Sequence, residues 1–250
     1  MDGLERALAG FADSWRYFSR ARYGLHEHDG IIAGCTGGRV AYCNQAVVAS
    51  APKDPAEALA AAIAYFDALH LPFMVQVPHG SPVNTVVGAA GLIDSGEVPF
   101  MLLDPIDESL WRTAPPELEI SLAVASDMND IETLLHVTFG MPLDSVRAFA
   151  LGRFIGHEDV LMFVGRIDGT IVTTATSILS GDTAGVFQVA TLEQHRGKGL
   201  GNVLTGHAIK GAMERGARIS YLQASALGFP VYERMGFKTA LMHTMYERPL

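Results

Sequence analysis

The segment HRGKGLG, residues 195–201, constrains the fold of this chain more than any other stretch. It follows the strand-like run GVFQVATLE and precedes a run in which Leu200, Val203 and Leu204 share one helical face. Because glycine tolerates positive φ, three alternating glycines allow successive backbone N–H groups to converge on one point. The order strand, glycine-rich turn, helix therefore predicts an anion site at a helix N-terminus, of a size that suits a pyrophosphate.

Two common phosphate-binding motifs do not fit this turn. A dinucleotide fingerprint requires a glycine three positions after Gly199, where the chain has Asn202. A Walker loop requires Ser or Thr after its lysine, but Lys198 is followed by Gly199. The turn is therefore neither a nucleotide-cofactor fingerprint nor a P-loop.

Composition narrows the class of protein. A net charge of −9 argues against nucleic acid as the main partner, since phosphate neutralisation needs surplus Lys and Arg. Nowhere do about 18 apolar residues run uninterrupted, and the start of the chain lacks the basic residues of a secretory signal, so we expect a cytoplasmic protein without a membrane partner. Cys35 and Cys43 lack companions at metal-ligand spacing, and we predict two buried reduced thiols and no metal site.

The order of predicted elements indicates two α/β domains, 1–115 and 116–250, separated by a linker rich in proline and acidic residues. Helices are predicted over 4–23, 55–69 and 81–93 in the first half. In the second half, helices are predicted over 127–140, 145–155 and 200–216, and a hairpin turns at Asp168-Gly169. The order of elements predicted for the first half is a shortened version of the last six elements predicted for the second half.

The turn resembles the acetyl-CoA loop of the GNAT superfamily of N-acetyltransferases, which is Arg or Gln, two residues, Gly, one residue, then Gly or Ala. Arg196, Gly199 and Gly201 match that pattern. The sequence VAT at 189–191 is similar to the end of the family's fourth strand, and YERMGF at 232–237 to its signature after the fifth. The resemblance covers residues 118–248 and implies a GNAT-like acyl-CoA N-acyltransferase fold, a mixed central sheet flanked by helices. The first half lacks such a loop, which suggests a tandem protein with a degenerate repeat that binds no cofactor.

The resemblance also implies which residues bind acetyl-CoA. They are the strand residues Val189, Ala190 and Thr191, the turn residues Arg196, Gly197, Lys198, Gly199, Leu200 and Gly201, and, further along, Ser225 and Tyr232. Ser225 departs from the family, which often has Asn there, and a serine reaches less far.

Two side chains are candidates for proton transfer. Tyr232 stands where many members of the family have a tyrosine that protonates the departing thiolate of CoA; the alternative is a ring that only packs. Glu193, just before the turn, is the first choice for the base that deprotonates the amine; the alternative is a solvated loop carboxylate. His207 and His243 are expected to be core histidines.

The expected activity is transfer of acetyl from acetyl-CoA to a primary amine. Direct attack in a ternary complex is the expected route, because no cysteine is predicted near the site. A non-catalytic CoA-binding sensor or interaction module is the alternative. The acceptor, a small-molecule or peptide amine, stays open among polyamine, amino acid, antibiotic and protein N-terminus, and a homodimer stays open too.

Overall fold

The computed structural model describes residues 2–19 and 24–248 of the chain. Among the described residues, the first half contains two α-helices, α1 (Gly3–Ser19) and α2 (Pro55–Leu69). Its strands are β1 (Leu25–His28), β2 (Ile31–Cys35), β3 (Asn44–Val48), β4 (Phe73–Pro78) and β5 (Ile93–Leu103).

The described part of the second half, up to residue 248, contains four α-helices and six strands. The helices are α3 (Met128–Phe139), α4 (Leu143–Phe149), α5 (Leu200–Met213) and α6 (Phe229–Arg234). The strands are β6 (Glu119–Leu122), β7 (Val160–Ile167), β8 (Thr170–Ser180), β9 (Thr183–Thr191), β10 (Ile219–Gln223) and β11 (Lys238–Arg248).

All of these strands join one eleven-stranded sheet, in the order β1-β2-β3-β4-β11-β5-β10-β9-β8-β7-β6. The β3–β4 and β9–β10 pairs are parallel, and each is connected through a helix, α2 or α5, as a parallel crossover requires. The predicted α/β class and mixed sheet flanked by helices are confirmed. Each half contains one such crossover unit, which accounts for the similar order of elements in the two halves of the sequence.

The two halves exchange their last strands. β5 of the first half lies between β10 and β11, and β11 of the second half lies between β4 and β5. The boundary near residue 115 separates β5 from β6 along the chain, but the sheet runs on without a break. The division into two domains therefore stays a prediction.

The helix α1 belongs to both halves through its packing. Phe11, Trp15 and Phe18 are buried in one apolar cluster with Val47 of β3 and Tyr221 of β10. The neighbouring residue Leu222 points to the opposite face, where α5 and α6 cover the sheet. The first half thus supplies part of the core under the second half.

One predicted helix is wrong, and another is shorter than predicted. Residues 81–93 form only a 3-10 turn, Pro82–Thr85, followed by further turns, because Gly88 and Gly91 interrupt the segment and Gly91 takes a φ of 71°. The segment 145–155 breaks at Ala150, which is extended (φ −62°, ψ 136°), into α4 and a short 3-10 turn. The helix predicted over 4–23 ends at Ser19 among the described residues, and 20–23 lie outside them.

The predicted hairpin turn and the two predicted thiols are confirmed. Asp168 and Gly169 both have positive φ, 49° and 75°, at the turn between β7 and β8. Cys35 and Cys43 are buried free thiols. Among the described residues, no helix is long and apolar enough to cross a lipid bilayer.

Candidate active site

The start of α5 is an N-terminus without a side-chain cap. Gly197 and Gly199 adopt the left-handed region, with φ of 77° and 85°, and no side chain accepts a hydrogen bond at the N-cap residue Gly199. The first N–H groups of a helix have no partner within the helix, and the helix dipole is positive there. The turn therefore presents donors for an anion, as its sequence predicts.

At the corresponding helix of the first half, side-chain carboxylates already accept hydrogen bonds from the N-terminal N–H groups. At the N-terminus of α2, the carboxylate of Asp54 accepts hydrogen bonds from the N–H groups of Ala56 and Glu57, at 3.1 and 3.0 Å. The carboxylate of Asp29 accepts from the N–H groups of Lys53 and Asp54, at 2.7 and 2.9 Å. The protein's own carboxylates thus take up the donors that a phosphate would need.

Beside the turn of α5, strands β9 and β10 separate. They pair only where Thr183–Gly185 lies beside Ile219–Tyr221. A β-bulge follows in β9: the register with β8 shifts between Thr174 and Thr176, and Gln188 takes a φ of 53°. The end of β9, 189–191, therefore has no strand pairing on the β10 side, and its backbone groups border an open groove.

A cavity of about 480 Å³ fills this groove and reaches the turn. Most of the predicted cofactor residues line it, namely Val189, Thr191, Arg196, Gly197, Gly199, Leu200, Gly201, Ser225 and Tyr232. The turn, the open strand end and the predicted acid thus share one cavity.

Three predicted residues do not line this cavity. Ala190 is buried in the cluster on the opposite face of the sheet, because side chains alternate along β9 after the bulge. Lys198 and Glu193 have exposed side chains on the turn. Glu193 is therefore not among the side chains that line the cavity in which a base would act.

Tyr232 lies on α6 with only 8% of its surface exposed. Its ring packs edge-on against Phe237, with ring centroids 5.9 Å apart. Among the described residues its hydroxyl makes no hydrogen bond, and burial raises its pKa above the ordinary value of 10. The hydroxyl is therefore protonated at neutral pH and free to donate.

Ser225 has a local structural role. Its hydroxyl accepts a hydrogen bond from the N–H of Gly228 at 3.2 Å, and its carbonyl accepts from the N–H of Phe229 at 2.9 Å. These bonds shape the turn that begins α6 and holds Tyr232 at the cavity. The hydroxyl accepts this one bond, so its O–H is still available to donate to a ligand in the cavity.

Sequence reasoning missed several lining residues, which are Arg112, Thr138, Phe139, His195, Asn202, Leu227, Gly228, Val231 and Arg234. Two of them carry buried polar atoms with no hydrogen-bond partner among the described residues, Oγ1 of Thr138 and Nδ1 of His195. Unpaired buried polar atoms are costly and mark places where a ligand or water completes the structure. Three of them lie in or beside segments that the sequence analysis had singled out: His195 and Asn202 flank the glycine turn, and Arg234 lies in YERMGF.

The two histidines predicted to be in the core do not line the cavity. His207 makes a hydrogen bond through Nδ1 with the carbonyl of Val203, at 2.9 Å. His243 is 1% exposed, and burial lowers its pKa to about 4. Among the described residues, no group of His, Cys, Asp and Glu is arranged to hold a metal ion.

Comparison with known proteins agrees with this geometry. Residues 158–239 match the family model described as acetyltransferase (GNAT) domain. A GCN5-related N-acetyltransferase from Kribbella flavida has a similar structure, with a TM-score of 0.74 and 20% identity over 98% of this chain and 96% of that chain. No curated protein matches the sequence.

Two further solved structures share the architecture. A GCN5-related N-acetyltransferase from Sphaerobacter thermophilus has a TM-score of 0.61 and 14% identity over 88% of this chain and 76% of that chain. A tandem GNAT protein from the clavulanic acid biosynthesis pathway has a TM-score of 0.59 and 11% identity over 87% of this chain and 78% of that chain. At these identities the likeness establishes the fold.

Proposed function

We propose that this chain, which has the GNAT fold and carries a GNAT acetyltransferase domain in its second half, transfers acetyl from acetyl-CoA to a primary amine. One observation carries the proposal. A single cavity connects the uncapped N-terminus of α5 with the side chain of Tyr232, a protonated donor. An anion-binding end and a proton-donating end in one groove are what a CoA thioester requires.

The residues present fit CoA. The amides of the turn, 197–201, would hold its pyrophosphate, and the open end of β9 would pair with the amides of its pantetheine arm as another strand would. At Gly201 a β-carbon would meet no protein atom closer than 3.8 Å, so protein packing does not demand glycine there. Gly201 lines the cavity, and the close approach of a ligand to its backbone would explain why a glycine stands there.

When bound, acetyl-CoA supplies a thioester as the acetyl donor. The backbone N–H of Val189, at the free edge of β9, would polarise the thioester carbonyl as negative charge develops on its oxygen. The hydroxyl of Tyr232 would donate its proton to the departing sulfur. Neither Cys35 nor Cys43 lines the cavity, which favours direct attack by the amine over a covalent acetyl-cysteine.

Glu193 is a poor candidate for the base, because its side chain is exposed and does not line the cavity. Among the described residues, no carboxylate lines the cavity. An acceptor amine would lose its proton to water or to His195, whose Nδ1 has no hydrogen-bond partner among the described residues, or would arrive neutral. The lack of a lining carboxylate favours the second candidate function, a CoA-binding sensor that transfers nothing.

The first half, in this proposal, binds no cofactor and completes the second half. Asp29 and Asp54 take up the donors at the start of α2, where a second pyrophosphate would lie. β5 and α1 instead extend the sheet and core of the second half. We propose a tandem protein with one cofactor site and an amine of a small molecule or peptide as acceptor.

A panel of amines tests the function, with release of the CoA thiol as the readout. Polyamines, amino acids, aminoglycosides and peptides with free N-termini cover the open classes of acceptor. Acetylation of at least one class, with CoA binding by calorimetry, supports the enzyme. Tight CoA binding without transfer to any amine supports the sensor, and absence of CoA binding overturns both.

A further inference from the structure

The linker between the halves lies across the second half and contacts it through three consecutive side chains. Residues 108–112, here called the linker strap, contain a 3-10 turn, Glu108–Leu110, followed by Trp111 and Arg112. Leu110 lies against Gly236, where a β-carbon would be 3.0 Å from its Cδ1. Trp111 lies against Gly206 in the same way, with its Cε3 at 3.0 Å.

Arg112 lies against Gly199, the N-cap residue of α5. A β-carbon on Gly199 would be 2.6 Å from Cδ of Arg112 and 2.7 Å from its Nη1. The guanidinium therefore lies directly on the turn that presents donors to an anion. Arg112 also lines the cavity, although it precedes the turn by more than eighty residues in the chain.

The backbone of Arg112 is fixed in that place. Its N–H donates to Oδ1 of Asn202 at 2.8 Å, and Asn202, in the first turn of α5, is 5% exposed. The start of the linker strap is also held in place, because the carboxylate of Asp107 accepts a hydrogen bond from the N–H of Ser109 at 2.9 Å. Asn202 therefore joins the linker to the helix whose N-terminus forms the anion site.

Three exposed arginines at this point have no anionic partner among the described residues. Arg112, Arg196 and Arg234 all line the cavity, and none forms a salt bridge among the described residues. A cation beside the positive end of a helix dipole is unfavourable unless an anion lies between them. Arginine donates paired, charge-assisted hydrogen bonds to phosphate oxygens, which would resolve this conflict.

We propose that Arg112 of the linker strap binds the diphosphate of CoA, opposite the amides of the turn. The inference rests on the proposed function, since it takes CoA as the ligand of the turn. It adds a phosphate ligand from outside the second half, so that the cofactor bridges the linker and α5. The diphosphate, rather than the 3′-phosphate, is the expected partner because Arg112 lies on Gly199 itself.

The test compares Arg112→Gln with the wild-type chain by calorimetry, using CoA and dephospho-CoA. Loss of charge-assisted hydrogen bonds worth about 1.5–3 kcal/mol predicts roughly 10- to 100-fold weaker binding of both ligands. Arg218→Gln is the matched control: it removes the same charge from an exposed arginine beyond the other end of α5, and its affinity should not change. Circular dichroism and thermal unfolding check that each variant is folded.

Three results of this test would overturn part or all of the inference. Weaker binding of CoA alone, with dephospho-CoA unaffected, would place Arg112 on the 3′-phosphate and overturn the diphosphate assignment. Unchanged affinity for both ligands in a folded variant would overturn any phosphate role for Arg112 while leaving the proposed function intact. A wild-type chain that binds neither ligand would overturn the proposed function, and this inference with it.

Discussion

Replacing Tyr232 by Phe removes a single oxygen from the cavity and leaves the ring in place. The ring packs on Phe237 and against Gly228, where a β-carbon would be 2.8 Å from it. The hydroxyl has no hydrogen-bond partner among the described residues. We therefore expect Tyr232→Phe to leave the free energy of unfolding within about 0.5 kcal/mol of the wild type.

The expected loss of activity is large by comparison. A positioned general acid is worth about 10²–10⁴ in rate, which at 1.36 kcal/mol per tenfold is about 3–5 kcal/mol of transition-state stabilisation. Affinity for CoA should stay within about threefold, because the pyrophosphate end of the cavity is untouched. Since burial raises the pKa of Tyr232, deprotonation of this acid should not cause a fall in wild-type activity below about pH 10.

The assay measures release of the CoA thiol at saturating acetyl-CoA, with the best amine from the panel. Tyr246→Phe is the matched control, because it removes a tyrosine hydroxyl that bonds Asn84 at 3.3 Å and does not line the cavity. Full activity of Tyr232→Phe would refute the acid role and leave a packing role. If activity is lost only in parallel assays at subsaturating acetyl-CoA, the hydroxyl acts in binding instead.

Three other substitutions probe the site and the fold. Gly199→Val should abolish CoA binding and also lower the melting temperature, since it strains a left-handed backbone by about 1–2 kcal/mol and displaces Arg112; unchanged affinity by calorimetry in a folded variant would contradict the turn as the CoA site. Asp54→Ala should cost about 1 kcal/mol in urea unfolding through loss of the α2 cap, without changing CoA affinity. Burial lowers the pKa of His243 to about 4, against an ordinary 6.5, so the unfolded chain binds the proton first as the pH falls. The free energy of unfolding should therefore decrease by up to about 3 kcal/mol between pH 6.5 and pH 4. Unfolding curves of His243→Gln should lack that dependence.

The parts of the fold that were predictable are those set by neighbours in the sequence. Glycines at positive φ in the turn, the Asp168-Gly169 hairpin and the start of α2 at Pro55 all depend on backbone preferences over a few residues. The anion site at the start of α5 belongs to this class, since a strand, three glycines and a helix are contiguous. The same local reasoning failed at 81–93, where apolar spacing suggested a helix that two glycines do not support.

The exchange of β5 and β11, the packing of α1 across both halves and the place of Arg112 on Gly199 were decided by tertiary structure. The alternation of apolar residues tells which face of a strand is buried but not which strand lies beside it. Likewise, nothing near Arg112 in the sequence indicates a contact with a turn more than eighty residues later. Such neighbours are chosen by the packing of whole faces against one another, an energy shared among many residues, so no short segment contains the information by itself.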